Sequence, residues 1–194
     1  MKKLFLCLIL LMPVFVFAQS AENSTFEHLT FKGIQIDGNL KQLISKLENQ
    51  NFTLIKEYDE LAKMKGTFAN SSCELLIGTT PKSKKVYTIL VDFGENDSWY
   101  SLKIKYKELK TQLQNKYNVI PEATEEFYSP YYEGDGYELQ ALRKDKCFYY
   151  SIFKLNNGEI GLYIAEDGVR IQYTDKINNL LRKEEENFQA YDDL

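Results

Sequence analysis

A single histidine, His28, and three cysteines among 194 residues leave little from which to build catalysis or metal binding. No Cys-x-x-Cys pair occurs, and one imidazole cannot complete a zinc site, so structural zinc and dithiol redox motifs are excluded. The chain also lacks Gly-x-Ser-x-Gly, His-Glu-x-x-His, a phosphate-binding Gly-rich loop and a Gly-rich dinucleotide turn. His28 has no nucleophile beside it and reads as a strand-end histidine. Serine and threonine are plentiful, but without a histidine base or a Ser–Lys arrangement they carry no nucleophilic chemistry. No cofactor and no metal is expected. Positive charge is short as well. With 24 Lys and Arg against 28 Asp and Glu, a net charge of −4 and a pI near 5.2, the chain is not built for nucleic acid. Only one long apolar run exists, at the N-terminus, so no integral membrane segment is expected once that run is removed.

That run reads as an export signal. "MKK" is a short basic start, "LFLCLILLMPVFVF" is too short and wrongly flanked for a stable span, and Val16 and Ala18 occupy the −3 and −1 positions of a small-residue cleavage site before Gln19. The reading is a signal peptide over 1–18 and a protein that works in the periplasm, at the cell surface or outside the cell. Cys7 lies inside the apolar run rather than after it, which argues against a lipid anchor. Two cysteines remain, Cys73 and Cys147. In an oxidising compartment they form either a disulfide or two buried thiols in strands. A bridge would close a long loop and stabilise by about 4 kcal/mol on the chain-entropy model.

Periodicity predicts an α+β fold. Leu40, Leu43, Ile44 and Leu47 make one helical stripe, and Trp99, Leu102, Tyr106, Leu109, Leu113 and Tyr117 make a second, capped by Asp97 or Ser98. After an extended stretch over 28–36 and the first helix, strand-like runs fall at about 52–58, 61–69, 73–79 and 86–93. After the second helix they fall at about 125–129, 137–144, 147–155, 159–165 and 169–174. Asn156-Asn157-Gly158 and Glu166-Asp167-Gly168 read as hairpin turns made by positive-φ residues. A last helix begins near Thr174 or Asp175, with Ile177, Leu180, Leu181 and Phe188 on one side. The expected architecture is two helix-plus-antiparallel-meander repeats in one compact body, 19–96 and 97–194, with an added C-terminal strand and helix. Aligning Cys73 with Cys147 sets "CELLIG" on "CFYYSI" and "VYTILVDF" on "IGLYIAE".

Two resemblances attach to these segments. "HLTFKGIQIDGNLKQLISKLENQNF", "MKGTFANSSCELLIGTT", "DSWYSLKIKYKELKTQLQNKY", "ALRKDKCFYYSIF" and "DKINN" together resemble an uncharacterised family of exported proteins of Bacteroides-type bacteria. That resemblance implies export and no activity. The doubled helix-plus-four-strand order is similar to β-lactamase-inhibitor-like tandem repeats. It implies a concave sheet whose exposed, aromatic-rich face grips a partner protein.

Candidate binding residues follow from the aromatic excess. Tyr128, Tyr131, Tyr132 and Tyr137 surround Pro130 and the Gly134-Asp135-Gly136 turn, where tyrosines offer contact area to a protein or a sugar at low entropic cost. On the sheet, Tyr149, Phe153 and Tyr163 are read as one exposed set. If the register is reversed, Phe148, Tyr150 and Ile152 take that place. Glu125, Glu126, Glu133, Asp135 and Glu138 supply the only acidic cluster from which a glycosidase pair could be drawn. Lysines on "TTPKSKK" and on the second helix read as solvated faces, with a polyanionic glycan or a lipid A phosphate as the functional alternative. The expected function is non-enzymatic binding of an envelope protein. A glycan-binding module or a glycan hydrolase is the alternative.

Overall fold

The computed structural model describes residues 27–96 and 98–192. The run read as an export signal, with Cys7, Val16 and Ala18, and the cap candidate Asp97 lie outside the described residues. No helix among them is long and apolar enough to cross a membrane.

The chain begins with a tight hairpin, β1 (Thr30–Phe31) and β2 (Ile34–Gln35). Helix α1 (Leu40–Glu48) follows, closed by a capping box between Asn39 and Gln42. Four strands come next: β3 (Thr53–Glu57), β4 (Leu61–Phe68), β5 (Ser71–Thr79) and β6 (Val86–Glu95). The long helix α2 (Trp99–Tyr117) leads to β7 (Glu122–Phe127), the short helix α3 (Glu138–Arg143), then β8 (Cys147–Leu155), β9 (Gly158–Ile164), β10 (Gly168–Asp175) and the final helix α4 (Lys176–Asp192).

Eight strands form one antiparallel sheet in the order β3-β4-β5-β6-β10-β9-β8-β7. Each half is a meander of four consecutive strands, and the two meanders join where β6 pairs with β10. Each meander is preceded by a helix, α1 or α2, and the second is interrupted by α3 between β7 and β8. β10 is not an added strand. It is the fourth of the second meander and sits at the centre of the sheet.

Two further expectations are corrected. The expected strand at 137–144 is instead α3, Glu138–Arg143 with its two flanking cap residues. The Asp135 carboxylate accepts the N–H groups of Tyr132 and Tyr137, and Glu138 accepts that of Gly134. This turn chemistry sets up a helix start and outweighs the strand-like letters. The second meander therefore has four strands, and the cysteine alignment is out by one. Cys73 lies on the third strand of its meander and Cys147 on the second of its own.

Cys73 and Cys147 are free and buried. β5 and β8 are four strand positions apart, about 19 Å at the usual strand spacing, whereas a disulfide needs Cα atoms within about 7 Å. The turns also differ in mechanism. Among the described residues, positive φ falls at Ala69 (48°) and Asn70 (59°), the two-residue β4–β5 hairpin closed by Phe68 opposite Ser71, and not at Asn156 or Asn157.

All fully buried apolar strand positions share one face of the sheet. Met64, Leu75, Val91, Ile171 and Leu162 follow one another across it in register. The stripes of α1 and α2 pack on this face. The β1–β2 hairpin is held there by Phe31, whose ring lies 5.2 Å from Tyr173 and 5.1 Å from Phe68. α4 packs differently from its predicted stripe. Leu180 and Phe188 are exposed, and among its described side chains the buried ones are Asn178 and Glu185. Asn178 donates to the Ile36 and Val86 carbonyls, and Glu185 accepts the N–H groups of Lys82 and Ser83. This helix is tied down by buried polar bonds because the backbone it meets is irregular and needs partners.

Candidate functional site

Among the described residues, no layer of helices lies over the middle of the other face of the sheet. One cross-strand row runs over all eight strands: Thr124, Tyr150, Tyr163, Arg170, Asp92, Glu74, Lys65 and Thr53. The next row reads Glu122, Ile152, Gly161, Gln172, Leu90, Leu76, Lys63 and Lys56. Every residue of both rows is half-buried or exposed.

The face is divided chemically. Over β7, β8 and β9 it is aromatic. Phe148 and Tyr150 are each more than a third exposed, Tyr163 is half-buried opposite Tyr150, and Tyr128 meets the Phe148 ring edge-on at 5.6 Å. Over β10 to β4 it is a charge ladder. The Arg170 Nε donates to Asp92 at 2.7 Å, a second guanidinium nitrogen donates to Asp167 at 2.9 Å, and Lys63 meets Glu74 at 2.7 Å. Burial opposes the Arg170 charge, but the Asp92 hydrogen bond and the nearby carboxylates carry its pKa above the ordinary arginine value. Burial raises the Tyr163 hydroxyl as well, against the pull of Arg170. The Tyr128 hydroxyl is raised by its bond to the Glu126 carboxylate. Tyr163, Tyr128 and the arginine thus hold their protons at neutral pH.

The sequence set is split by this arrangement. Tyr163 belongs to the open face. Tyr149 and Phe153 do not: they are 5% and 0% exposed and point into the core. Tyr149 packs edge-on against Trp99 at 5.0 Å, and Ser151 beside it bonds the Tyr106 hydroxyl at 2.6 Å, so α2 claims that side of β8. Period-two geometry then sends Phe148, Tyr150 and Ile152 outward, the reversed register of the sequence reading. Two signals in the letters favour it. Lys154 shares the parity of Phe148 and Tyr150, and Tyr163 shares that of Glu159, opposite Ile160, Leu162 and Ile164.

The tyrosine loop divides likewise. Tyr128 extends the open face. Tyr132 and Tyr137 are exposed in the loop, and Tyr131 folds back against the core. The acids around them are all engaged by the chain's own donors. Glu125 takes Lys110, Glu126 takes Tyr128, Glu133 takes Lys103, and Asp135 and Glu138 take backbone N–H groups. Glu133 is held below the ordinary carboxylate range by Lys103. No group of three or more His, Cys, Asp or Glu residues suited to a metal ion occurs among the described residues.

A cavity of about 650 Å³ lies over β8, β9 and β10, with Tyr150, Ile152, Tyr163 and Gln172 around Gly161. Leu142, Arg143 and Asp145, from α3 and the turn after it, also line it. The helix that replaced the expected strand therefore helps to bound this cavity. Comparison with protein-family models, with curated proteins and with solved structures finds no match for this chain.

Proposed function

We propose that this is an exported, non-enzymatic binding protein of the bacterial envelope, which engages a protein partner through the open face of its sheet. One observation carries the reading: an eight-stranded sheet is covered by the α1 and α2 stripes on one face and leaves Phe148, Tyr150, Ile152 and Tyr163 accessible on the other. Aromatic residues beside an arginine are the composition that dominates binding energy at protein interfaces. Eight strands at about 4.8 Å spacing span about 34 Å, and with strands of about 20 Å they offer about 700 Å², close to the roughly 800 Å² each partner gives to a standard interface. The recurrence of helix and four strands supports a tandem-repeat origin for this surface. The resemblances to exported Bacteroides-type proteins and to β-lactamase-inhibitor-like repeats agree with export and with partner binding.

The hydrolase alternative draws no support from the acids at 125–138, because each already has an internal donor. Glycan binding shares the same face and is separated by experiment. Immobilised protein, residues 19–194, is incubated with solubilised envelope proteins and, in parallel, with envelope polysaccharide. Wild type is compared with Phe148→Ala/Tyr150→Ala, both changes lying on the solvent side of β8. A protein retained by wild type and lost by the double variant supports the reading. Retention of polysaccharide alone, or equal retention by both proteins, overturns it.

A further inference from the structure

Gly161 is unlike the other glycines. Most of them are required where they stand. Gly33, Gly38, Gly94, Gly134 and Gly136 have positive φ, and at Gly66, Gly78, Gly158 and Gly168 an added Cβ would lie within 3.0 Å of a neighbouring atom. Gly161 has neither reason. It sits in the middle of β9, pairs in unbroken register with Ile152 and Gln172, has no positive φ, and a Cβ there would meet nothing within 4 Å. A glycine inside a strand weakens the strand, and besides bulges and tight bends such a glycine often stands where a ligand or another backbone approaches closely. The space it leaves is the floor of the 650 Å³ cavity.

That cavity is the middle of a longer trench. Towards the β9–β10 turn it shares Arg143 and Glu166 with a second depression of about 540 Å³, where Glu95, Glu166 and Asp167 outnumber Arg143 and Arg170, the latter bonded to both Asp92 and Asp167. Towards α4 it shares Glu159 and Thr174 with a third of about 340 Å³, where Lys154, Lys176 and Lys183 outnumber Glu159, beside exposed Leu180. The trench thus has an acidic end, an aromatic centre without a floor side chain, and a basic end. It follows β9, whose seven residues span about 24 Å when extended.

We propose that the trench over Gly161 receives an extended segment of a partner polypeptide, about seven residues long. Its centre is aromatic or apolar, its basic end lies over the β9–β10 turn and its acidic end lies against α4. This rests on the open-face reading above and gives it an occupant. A main chain laid along β9 can approach closely at Gly161 alone. Its central side chain rests between Tyr150, Ile152 and Tyr163, and the opposed end charges set its direction.

The test uses the chain 19–194 and a displayed library of random dodecapeptides, followed by fluorescence polarisation with the most enriched peptide as the probe. Gly161→Ile fills the floor in a position that accepts a β-branched residue, so its melting temperature is expected to equal or exceed that of wild type. Selected peptides are expected to carry an aromatic or apolar centre between a basic and an acidic end. Gly161→Ile is expected to weaken the probe at least tenfold, and a probe with its end charges exchanged is expected to bind several-fold more weakly. Glu166→Lys, at an exposed site, is expected to weaken the original probe without affecting folding. Absence of enrichment, or equal binding by wild type and the folded Gly161→Ile protein, overturns the proposal. The envelope capture separates the two readings. A partner lost by Phe148→Ala/Tyr150→Ala and kept by Gly161→Ile leaves the open face standing and the trench refuted. A partner kept by both variants refutes both.

Discussion

Cys73 and Cys147 are 4% and 5% exposed, and burial pushes their thiols up to about 11 and about 12. Neither forms appreciable thiolate at neutral pH, so native protein is expected to react with a thiol reagent far more slowly than denatured protein. The melting temperature is expected to be the same with and without reductant. A melting temperature lowered by reductant would mean that the two residues are bridged. The Tyr106–Ser151 bond makes a second prediction. Tyr106→Phe leaves the buried Ser151 hydroxyl without its partner and is expected to cost about 1–2 kcal/mol in urea unfolding. The double change Tyr106→Phe/Ser151→Ala is expected to cost less than the two single changes together, because no orphaned hydroxyl remains.

At the scale of the element, α4 is fixed by polar bonds rather than by an apolar stripe. Asp175, fully buried at its start, accepts the N–H groups of Asn178 and Leu29 and meets the His28 ring at 3.1 Å. Burial works to raise the Glu185 carboxyl, and the hydrogen bonds from Ser83 and Lys82 more than offset it, so its pKa lies below the ordinary value. Asp37 behaves alike: burial raises it, and Gly38, Asn178, His28 and Lys85 outweigh that. A carboxylate whose folded pKa is depressed adds stability that is present above its unfolded pKa and lost as pH falls through the folded value. Stability is therefore expected to decline as pH falls from about 5 towards 3. Glu185→Gln is expected to lower the melting temperature at pH 7 and to flatten that decline. An equally steep decline in the variant would remove Glu185 as a contributor. Asn178→Ala strips a donor from two buried carbonyls and is expected to cost about 2–3 kcal/mol.

At the scale of the molecule, the β6–β10 pairing makes one sheet and one core from two meanders. Met64 of one half and Leu162 of the other belong to the same apolar cluster. Unfolding is expected to be a single cooperative transition, seen coincidentally by the fluorescence of Trp99 and by far-ultraviolet circular dichroism. The segment 27–96 alone is expected not to fold, because it would expose the β6 edge and leave Ile89 and Val91 without Tyr173 and Ile171 across from them. Two separated transitions, or a folded isolated segment, would make the halves independent domains.

Much of this was legible in the letters. The α1 and α2 stripes, the first four strands and the three closing strands follow from periods of 3.6 and 2, which are local properties of the chain. The α3 helix was not legible, because its start depends on turn bonds made by Asp135 and Glu138. The outward register of β8 was only faintly legible. Its sequence is aromatic on both faces, so Phe148 and Tyr149 are equally suited to a core until α2 brings Trp99 and Tyr106 to one side. The sequence by itself determined the α+β class, the helices that carry the core and the aromatic supply. Only the tertiary structure decided that Cys73 and Cys147 stay apart and that β10 closes the sheet at its centre. It also placed Tyr150 and Tyr163 around an empty position at Gly161, since long-range pairing, and not local propensity, sets which residues become neighbours across a sheet.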